Sequence, residues 1–475
     1  MTYKRSYRGK TASNIRWQPS RVPEQKPLLV GSDHGTPVIV PAQDFAPSQR
    51  SPGWGPYGET FLRFNEEAFR ALDVQPDINS TSSGMVIRLV PGERTGAVPL
   101  RSGLTGQVAG GLIIKPRFGW AGVGRILHET GWHASPEFLG LPMVPGSARE
   151  VPPWVMAGPV LARLQSLLKS LTPGYREAEE TLLKPRGQVI WSRYLSRSLV
   201  RGVWHHLPCR FPDLGADPLL RRHIRWALER VQRSLLGSGG IDPVAAALVA
   251  LAVRLIESLT DVSPLVPRRD ELDRYLMESR LLGVNLRLGI EAIAWIVDER
   301  GLGGGNERSG LPWTLPLEKL WESYVESVYR REAAKVGGEV KVGRLGETVF
   351  PLEWSDPTHR TLGHLVPDIV IRRGRSVQVI DAKYKAHLAE VDDTSWRQLE
   401  RETREAHRAD LHQILAYASL YEANELTATL VYPLRSSTFT TLQQQHRDCA
   451  IAELLHGGRH VRLELRGLPF GVVYS

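Results

Sequence analysis

The chain contains very little cysteine. Only Cys209 and Cys449 occur among its 475 residues. Two cysteines cannot build a disulfide framework, so the fold must depend on packed apolar cores. This composition is typical of a reducing compartment, and we expect a cytoplasmic protein.

Long apolar runs are also missing. The longest one, Val244–Val253, is rich in alanine and too short to cross a bilayer. The basic segment Met1–Lys10 is not followed by an apolar stretch, so the sequence predicts no secretory signal. We therefore expect no membrane partner.

The sequence has no GxxxxGK[ST] phosphate-binding loop. The pair Gly110-Gly111 lies in a different context and does not replace it. We infer that this chain supplies no nucleotide hydrolysis of its own.

What is present is an ordinary globular composition, with 42% hydrophobic and 23% charged residues. The length allows two or three domains with substantial cores. The formal net charge is +9. A positive balance favours partners that carry phosphates, such as DNA, although charge alone is a weak indication.

Composition and periodicity divide the chain into four regions and predict a multi-domain α/β (α+β) protein. Residues 1–55 are rich in Pro, Ser, Gly and Arg and are interpreted as a flexible basic arm with one candidate strand, Thr36–Val40. Residues 56–150 are predicted to be β-rich and residues 151–301 mostly helical. After the Gly-rich linker Leu302–Gly310, residues 311–475 form the last predicted domain.

The most informative stretch is Leu365–Lys385, which predicts two apolar, β-branched strands joined by a tight turn. Asp368 stands at the start of the first strand, and a hairpin can bring it beside Asp381 in the second. Lys383 is two residues beyond Asp381, so both side chains leave the same face of the strand. Two carboxylates and a lysine at one point suit a divalent-metal site that hydrolyses phosphodiesters.

A predicted amphipathic helix precedes this hairpin, over Leu317–Ala334. It carries Glu322 and Glu326 one turn apart. Either could add a third carboxylate to the site. We assign Glu322 first and keep Glu326 as the alternative.

A second predicted helix, Asp410–Glu422, follows the hairpin and carries Gln413 and Tyr417 one turn apart. A further strand is predicted over Thr427–Pro433. Beyond it, the pattern predicts a helix over Leu442–Leu455 and then a late strand.

The hairpin resembles the PD-(D/E)xK nuclease superfamily, with Pro367-Asp368 and Asp381-Ala382-Lys383 as the two halves of the motif. The predicted element order is the αβββαβ core of that superfamily. Gln413 and Tyr417 match a QxxxY feature of some of its branches. The alternative interpretation is a surface hairpin with two acids and a solvated lysine.

Over residues 85–435, the order of motifs resembles McrC, the nuclease component of McrBC-type modification-dependent restriction systems. A strand ends in Lys115-Pro116, and a segment RGQVIWSRYL follows a helical stretch. Arg221 stands near the position where that family has Asn. Further matches to the family's C-x-F-x-(D/E)-L-x-x-D-x-P segment are Cys209, Phe211, Asp213, Leu214, Asp217 and Pro218.

This resemblance implies the DNA-cutting subunit of an antiviral restriction complex. Its N-terminal region, 56–150 here, would dock on a separate AAA+ GTPase or ATPase ring and stimulate it. Double-stranded DNA would be the substrate.

The chemistry of such a reaction predicts a role for each residue. Asp368, Asp381 and Glu322 would hold Mg²⁺, with Mn²⁺ as a possible substitute. Lys383 would orient the attacking water and stabilise the transition state. Gln413 and Tyr417 would hold the DNA backbone or support the site.

Two other functions remain open at this point. The chain could be a recombination or repair nuclease that works with a helicase. It could also be a non-catalytic DNA-binding adaptor of the same fold, although an adaptor has no need of the combination of Asp368, Asp381 and Lys383.

Overall fold

The computed structural model describes residues 26–46, 53–81, 84–132, 134–146, 151–171, 174–215, 218–237, 243–279, 283–298, 309–356, 362–385, 401–456 and 459–471. These residues form a mixed α/β protein with three hydrophobic cores. None of the described helices is long and apolar enough to cross a membrane.

The N-terminal region is built around a five-stranded sheet in the order β1-β6-β5-β13-β7, in which β13 is Trp313–Pro316, and a three-stranded sheet in the order β2-β4-β3. The first eight strands are β1 (Leu28–Ser32), β2 (Val38–Val40), β3 (Val74–Thr81), β4 (Gly84–Pro91), β5 (Arg94–Arg101), β6 (Val108–Lys115), β7 (Glu137–Phe138) and β8 (Val144–Pro145). The helices of this region are α1 (Ala42–Phe45), α2 (Tyr57–Ala71) and α3 (Trp120–Glu129).

The prediction of a flexible arm over residues 1–55 is wrong for residues 26–46. Strand β1 pairs in parallel with β6, with Leu28 opposite Gly111. Phe45, in α1, is completely buried and packs edge-on against Phe61. This strand could not be predicted from the local sequence, because its apolar run is short and its partner strand lies about 80 residues away. Residues 1–25 lie outside the described part of the chain.

Replacing Phe45 with Ala should therefore destabilise the N-terminal sheet. Loss of a fully buried Phe leaves a cavity and costs about 3–5 kcal/mol of unfolding free energy. The expected result is a clear fall in the urea concentration at the unfolding midpoint. A control variant, Ile39→Ala, changes a mostly exposed residue on the neighbouring strand and should have little effect. An unchanged midpoint for Phe45→Ala would show that this segment does not belong to the folded core.

The middle region is mainly helical, as predicted. Its helices α4, α6, α7 and α9 pack on one another, and their apolar faces join the largest core. Their bounds, with those of two further helices, are α4 (Pro153–Ser170), α5 (Trp191–Arg193), α6 (Pro218–Gly237), α7 (Pro243–Glu257), α8 (Arg269–Ser279) and α9 (Val284–Val297).

A long β-hairpin interrupts the helices of this region. The prediction of a mostly helical region did not include this hairpin. Strand β9 (Gly174–Leu182) pairs along its length with β11 (Leu207–Gly215), and the short β10 (Gln188–Val189) joins the same sheet. The end of the hairpin contains α5 and a π-helical segment, Tyr194–Leu199.

The C-terminal region contains a six-stranded sheet in the order β14-β17-β18-β19-β21-β20. The last strands are β12 (Ser309–Gly310), β13 (Trp313–Pro316), β14 (Glu339–Val342), β15 (Phe350–Pro351), β16 (His364–Leu365), β17 (Ile369–Arg373), β18 (Ser376–Ala382), β19 (Glu425–Leu434), β20 (Cys449–His456) and β21 (Arg459–Pro469). The last helices are α10 (Leu317–Val336), α11 (Arg401–Ser419) and α12 (Ser436–Gln444).

Two expectations for this region need correction. The predicted helix Leu442–Leu455 is split, because α12 ends at Gln444, residues 445–448 form a turn, and Cys449–Leu455 belong to β20. Strand β13, placed by the sequence in the last domain, pairs instead with β5 and β7 of the N-terminal sheet. Helix α10 follows β13 directly, so one continuous segment connects the N-terminal sheet to the helix that borders the candidate site.

Candidate functional site

The predicted hairpin is present. Strands β17 and β18 are antiparallel, with Ile369 opposite Ile380, and the turn contains Gly374 at φ +59°. Few residues other than glycine adopt this left-handed conformation without strain. The register places Asp368, immediately before β17, beside the end of β18 that carries Asp381. The apolar residues of both strands are buried, which fixes the register from both faces.

Asp368 and Asp381 lie close enough to repel each other. Oδ2 of Asp368 accepts a hydrogen bond from the Ala382 backbone N–H at 2.8 Å. Burial raises the pKa of Asp368 well above its usual range, and the charges of Asp381 and Glu322 raise it further. Burial also raises the pKa of Asp381, although Lys383 opposes this rise. The site is therefore a buried cluster of acids that favours positive charge.

Lys383 supplies one positive charge. Its Nζ lies 2.7 Å from Oδ2 of Asp381. Burial lowers the pKa of Lys383, but Asp381 more than compensates, and the pKa is raised overall. The lysine therefore stays protonated at neutral pH.

A hydrogen-bonded chain holds this ammonium group from helix α11. Lys383 Nζ donates to Oε1 of Gln413 at 3.0 Å, and Nε2 of Gln413 donates to the Tyr417 hydroxyl at 2.9 Å. Tyr417 is largely buried in the core between α11 and the sheet. Gln413 thus contacts the lysine directly and Tyr417 contacts it through Gln413; their predicted role in holding DNA or supporting the site stays a prediction.

Helix α10 directs Glu322 toward the same carboxylates. The indole N–H of the neighbouring Trp321 donates to the Val431 carbonyl at 3.2 Å, and the Lys383 backbone N–H donates to the same carbonyl at 2.9 Å. This shared acceptor fixes α10 relative to Lys383. Burial raises the pKa of Glu322 to about 7, helped by repulsion from Glu318 and then Asp381.

Glu326, the alternative acid, has a different environment. It forms ion pairs with Arg330 at 2.8 Å and with Arg344 at 2.5 Å. Burial alone would raise its pKa, but the two arginines lower it overall. Glu326 thus connects α10 to the segment after β14, and Glu322 is the acid on this helix that faces the hairpin.

Sequence reasoning missed a second ion pair beside the site. Lys385 Nζ lies 2.9 Å from Oδ1 of the buried Asp410, and Oδ2 of Asp410 accepts no hydrogen bond from the residues that the structure describes. Asp410 raises the pKa of both Asp381 and Lys383. Two features of the sequence indicate this pair. Asp410 lies three residues before Gln413 on the same helix face, and Lys385 follows Lys383 at a spacing of two residues.

The donor chemistry fits a small divalent cation held by two carboxylates. Across the described residues, no three His, Cys, Asp or Glu side chains stand in an arrangement that could hold a metal ion. Mg²⁺, however, commonly uses one or two carboxylates and completes its shell with water and phosphate oxygens. Asp368 and Asp381 meet that requirement, and a cation between them would relieve the repulsion that raises the pKa of Asp368. Glu322 is nearby without completing a three-acid group.

No curated protein matches the sequence significantly. One similar solved structure is described as a refined half-complex from the tetradecameric assembly of Thermococcus gammatolerans McrB AAA+ hexamers with bound McrC. It is 14% identical, with a TM-score of 0.41, and the match covers 94% of this chain and 97% of that chain.

A second similar structure is the cryo-EM structure of the Thermococcus gammatolerans McrBC complex. It is 15% identical, with a TM-score of 0.28, and the match covers 64% of this chain and 88% of that chain. The family model for the McrBC 5-methylcytosine restriction system component matches residues 154–433, a range that includes Glu322, the hairpin and Gln413. Because this match covers more than half of the 475 residues, the chain belongs to the family of McrBC 5-methylcytosine restriction system components.

Proposed function

We propose that this protein is a Mg²⁺-dependent DNA endonuclease subunit of a McrBC-type antiviral restriction complex. One observation carries the proposal: Asp368, Asp381 and Lys383 meet at the end of one hairpin, and Gln413 orients the lysine. The order helix α10, strands β14, β17 and β18, helix α11 and strand β19, with the two-residue strands β15 and β16 inserted between β14 and β17, supports the αβββαβ arrangement of PD-(D/E)xK nucleases.

The chain's own residues have separate tasks in phosphodiester hydrolysis. A bound Mg²⁺ would neutralise phosphate charge and lower the pKa of a water molecule. Asp368 and Asp381 would hold it, and their burial keeps bulk water from weakening the attraction. Lys383 stands next to Asp381, where its ammonium group can stabilise charge that develops on the phosphate. Glu322, with a pKa of about 7, can accept or release a proton near neutral pH.

The proposal is tested by incubating the purified chain with supercoiled and linear DNA in the presence of Mg²⁺, Mn²⁺ or EDTA. The assay is repeated with an AAA+ partner encoded beside it and with GTP or ATP. We expect cleavage only with a divalent cation. Tight DNA binding without any cleavage, under every condition, would instead support the non-catalytic adaptor. Cleavage that requires a helicase rather than an AAA+ GTPase would support the repair nuclease.

We further propose that the partner ring contacts the end of the β9–β11 hairpin. Exposed apolar residues accumulate there, including Leu183, Trp191, Val200 and Trp204, while Arg193 pairs with Glu179 on the hairpin itself. Exposed apolar residues that accumulate in one part of a fold favour a protein interface there. Exposed apolar residues also occur in residues 56–150, among them Phe64, Ile78 and Leu104, so the docking role predicted for that region stays a prediction.

Replacing Trp191 and Trp204 together with Ser is expected to weaken binding of the ring by about tenfold or more, because buried tryptophans dominate interface energies. Both side chains are more than 60% exposed, so the melting temperature should not change. Binding is measured by analytical ultracentrifugation with the purified partner. The control is Leu455→Ser, which alters an equally exposed residue on β20. Equal affinity for the double variant and the control would exclude this surface.

A further inference from the structure

The segment that carries Lys383 is held from two sides. Strand β18 ends at Ala382, so Lys383 and the next two residues lie beyond its regular pairing. Lys383 and Lys385 both reach helix α11, through Gln413 and Asp410. Tyr384, between them, contacts the N-terminal sheet instead and is only 2% exposed.

Asp33 is the first contact of Tyr384 on that side. It follows β1, is completely buried, and its backbone N–H donates to the Lys115 carbonyl at 3.1 Å. Oδ2 of Asp33 accepts a hydrogen bond from the Tyr384 hydroxyl at 2.9 Å. The two residues are 351 positions apart in sequence. A buried carboxylate is costly unless it is paired and hydrogen-bonded.

Arg117 completes the contact. Its guanidinium carbon lies 4.7 Å from the centre of the Tyr384 ring, and Nη2 donates to the Tyr384 carbonyl at 3.5 Å. Nε of Arg117 is 3.4 Å from Oδ2 of Asp33, and the Arg117 backbone N–H donates to Oδ1 of the same carboxylate. The hydroxyl, ring and carbonyl of Tyr384 are thus all held by two residues of the N-terminal region.

Apolar contacts reinforce this connection and lead back to the site. Phe118, next to Arg117, stacks on Phe470 at 4.7 Å, and Phe470 in turn stacks on Trp321, the neighbour of Glu322. Tyr384 itself lies 6.0 Å from both phenylalanine rings. The N-terminal region therefore contacts the segment around Lys383 directly and reaches helix α10 through Phe470.

We propose that Asp33 and Arg117 are positioning residues that fix Lys383 through Tyr384. The backbone beyond β18 keeps only one strand-like hydrogen bond on the described residues, from Lys383 N–H to Val431. Its position therefore depends on side-chain anchors. Without the anchor from Asp33, the ammonium group would sample positions away from Asp381, and a displacement of about 1 Å is enough to slow catalysis severely. This inference deepens the proposed nuclease function, and its catalytic consequence rests on that function.

The test uses the full chain and two readouts, one of which does not depend on activity. Hydrogen exchange of the peptide that covers residues 376–385 is measured by mass spectrometry for the wild type, Tyr384→Phe and Asp33→Asn. We expect exchange in this peptide to rise by about tenfold in Tyr384→Phe, with other regions unchanged. Asp33→Asn keeps an acceptor for the hydroxyl but loses the charge, so its change should be smaller.

DNA cleavage is measured in parallel. Tyr384→Phe is expected to lower kcat by about tenfold with little change in KM for DNA, because Lys383 acts in the chemical step. The control is Tyr421→Phe, which alters another buried tyrosine that packs against an arginine, Arg372, away from Lys383. Arg117→Lys serves as a third, milder variant in case Tyr384→Phe and Asp33→Asn fail to fold.

The outcomes separate the two proposals. Unchanged exchange at 376–385 in all three variants, or a rise shared equally by the whole chain, would overturn the positioning role. A local rise in exchange together with no cleavage by the wild type under any condition would overturn the nuclease proposal but leave the structural anchor in place.

Discussion

Replacing Lys383 with Ala, or Asp381 with Ala, is expected to reduce DNA cleavage by about 10³-fold or more while the chain stays folded. In the proposed mechanism each side chain acts where charge develops on the phosphate, and removal of one such group typically costs two to three orders of magnitude or more. Lys383→Ala leaves Asp381 without its partner at 2.7 Å. The raised pKa of Asp381 allows the carboxyl to take up a proton, so the loss of the lysine need not unfold the chain.

Asp381→Ala creates the opposite problem, a buried lysine without its main counter-charge. Asp381→Asn is therefore a useful additional variant, because it keeps the volume and a hydrogen-bond acceptor for Lys383. Cleavage is followed as the initial rate of plasmid nicking, and folding as the thermal midpoint. The matched control is Lys341→Ala, which removes an exposed lysine from β14 of the same sheet. Wild-type cleavage rates in Lys383→Ala or Asp381→Asn would remove this site as the catalytic centre.

Glu322→Gln is expected to have two opposite effects, a more stable fold and a less active enzyme. The pKa of Glu322 is 4.5 in the absence of the surrounding structure and about 7 in the folded chain. Between these values the unfolded state loses a proton that the folded state keeps, so stability falls as pH rises from 4.5 to 7 and stays low above 7. Gln carries no titratable proton, so the variant does not lose stability over this pH range. Allowing for partial exposure to water, the gain above pH 7 should be on the order of 1–2 kcal/mol.

The thermal midpoint should therefore rise by a few degrees for Glu322→Gln at about pH 8, and the difference from the wild type should vanish toward pH 4.5. Mg²⁺ should stabilise the wild type more than the variant, because a cation offsets the repulsion among Glu322, Asp368 and Asp381. Cleavage should fall by about tenfold or more, since a neutral amide can neither bind a cation strongly nor exchange a proton. Glu339→Gln, at an exposed position on β14, is the control. A lower midpoint for Glu322→Gln at pH 8 would contradict the assigned environment.

These experiments concern a site whose parts come from distant segments. Trp321 and Lys383 share the Val431 carbonyl as acceptor, while Tyr384 reaches Asp33. Strand β13 belongs to the N-terminal sheet and continues into α10. A change in the N-terminal region can therefore reach Glu322 through the main chain and Lys383 through Tyr384. This arrangement would suit a nuclease whose activity depends on a partner.

The sequence by itself determined the hairpin and its motif. Two short β-branched runs around Gly374 specify the turn, and strand alternation places Asp381 and Lys383 on one face. It also determined the amphipathic helices α10 and α11, because helical periodicity is a local property. Local features of this kind are sufficient to predict the candidate site.

Only the tertiary structure determines which residues each polar side chain contacts. Glu322 and Glu326 have the same helical spacing, and Arg330 and Arg344 draw Glu326 away from the hairpin. Residues 28–32 became a strand because β6 was available to pair with them, and β20 replaced a predicted helix because β21 lies beside it. Periodicity reports how a segment folds locally, but strand pairing and ion pairing depend on groups tens to hundreds of residues away.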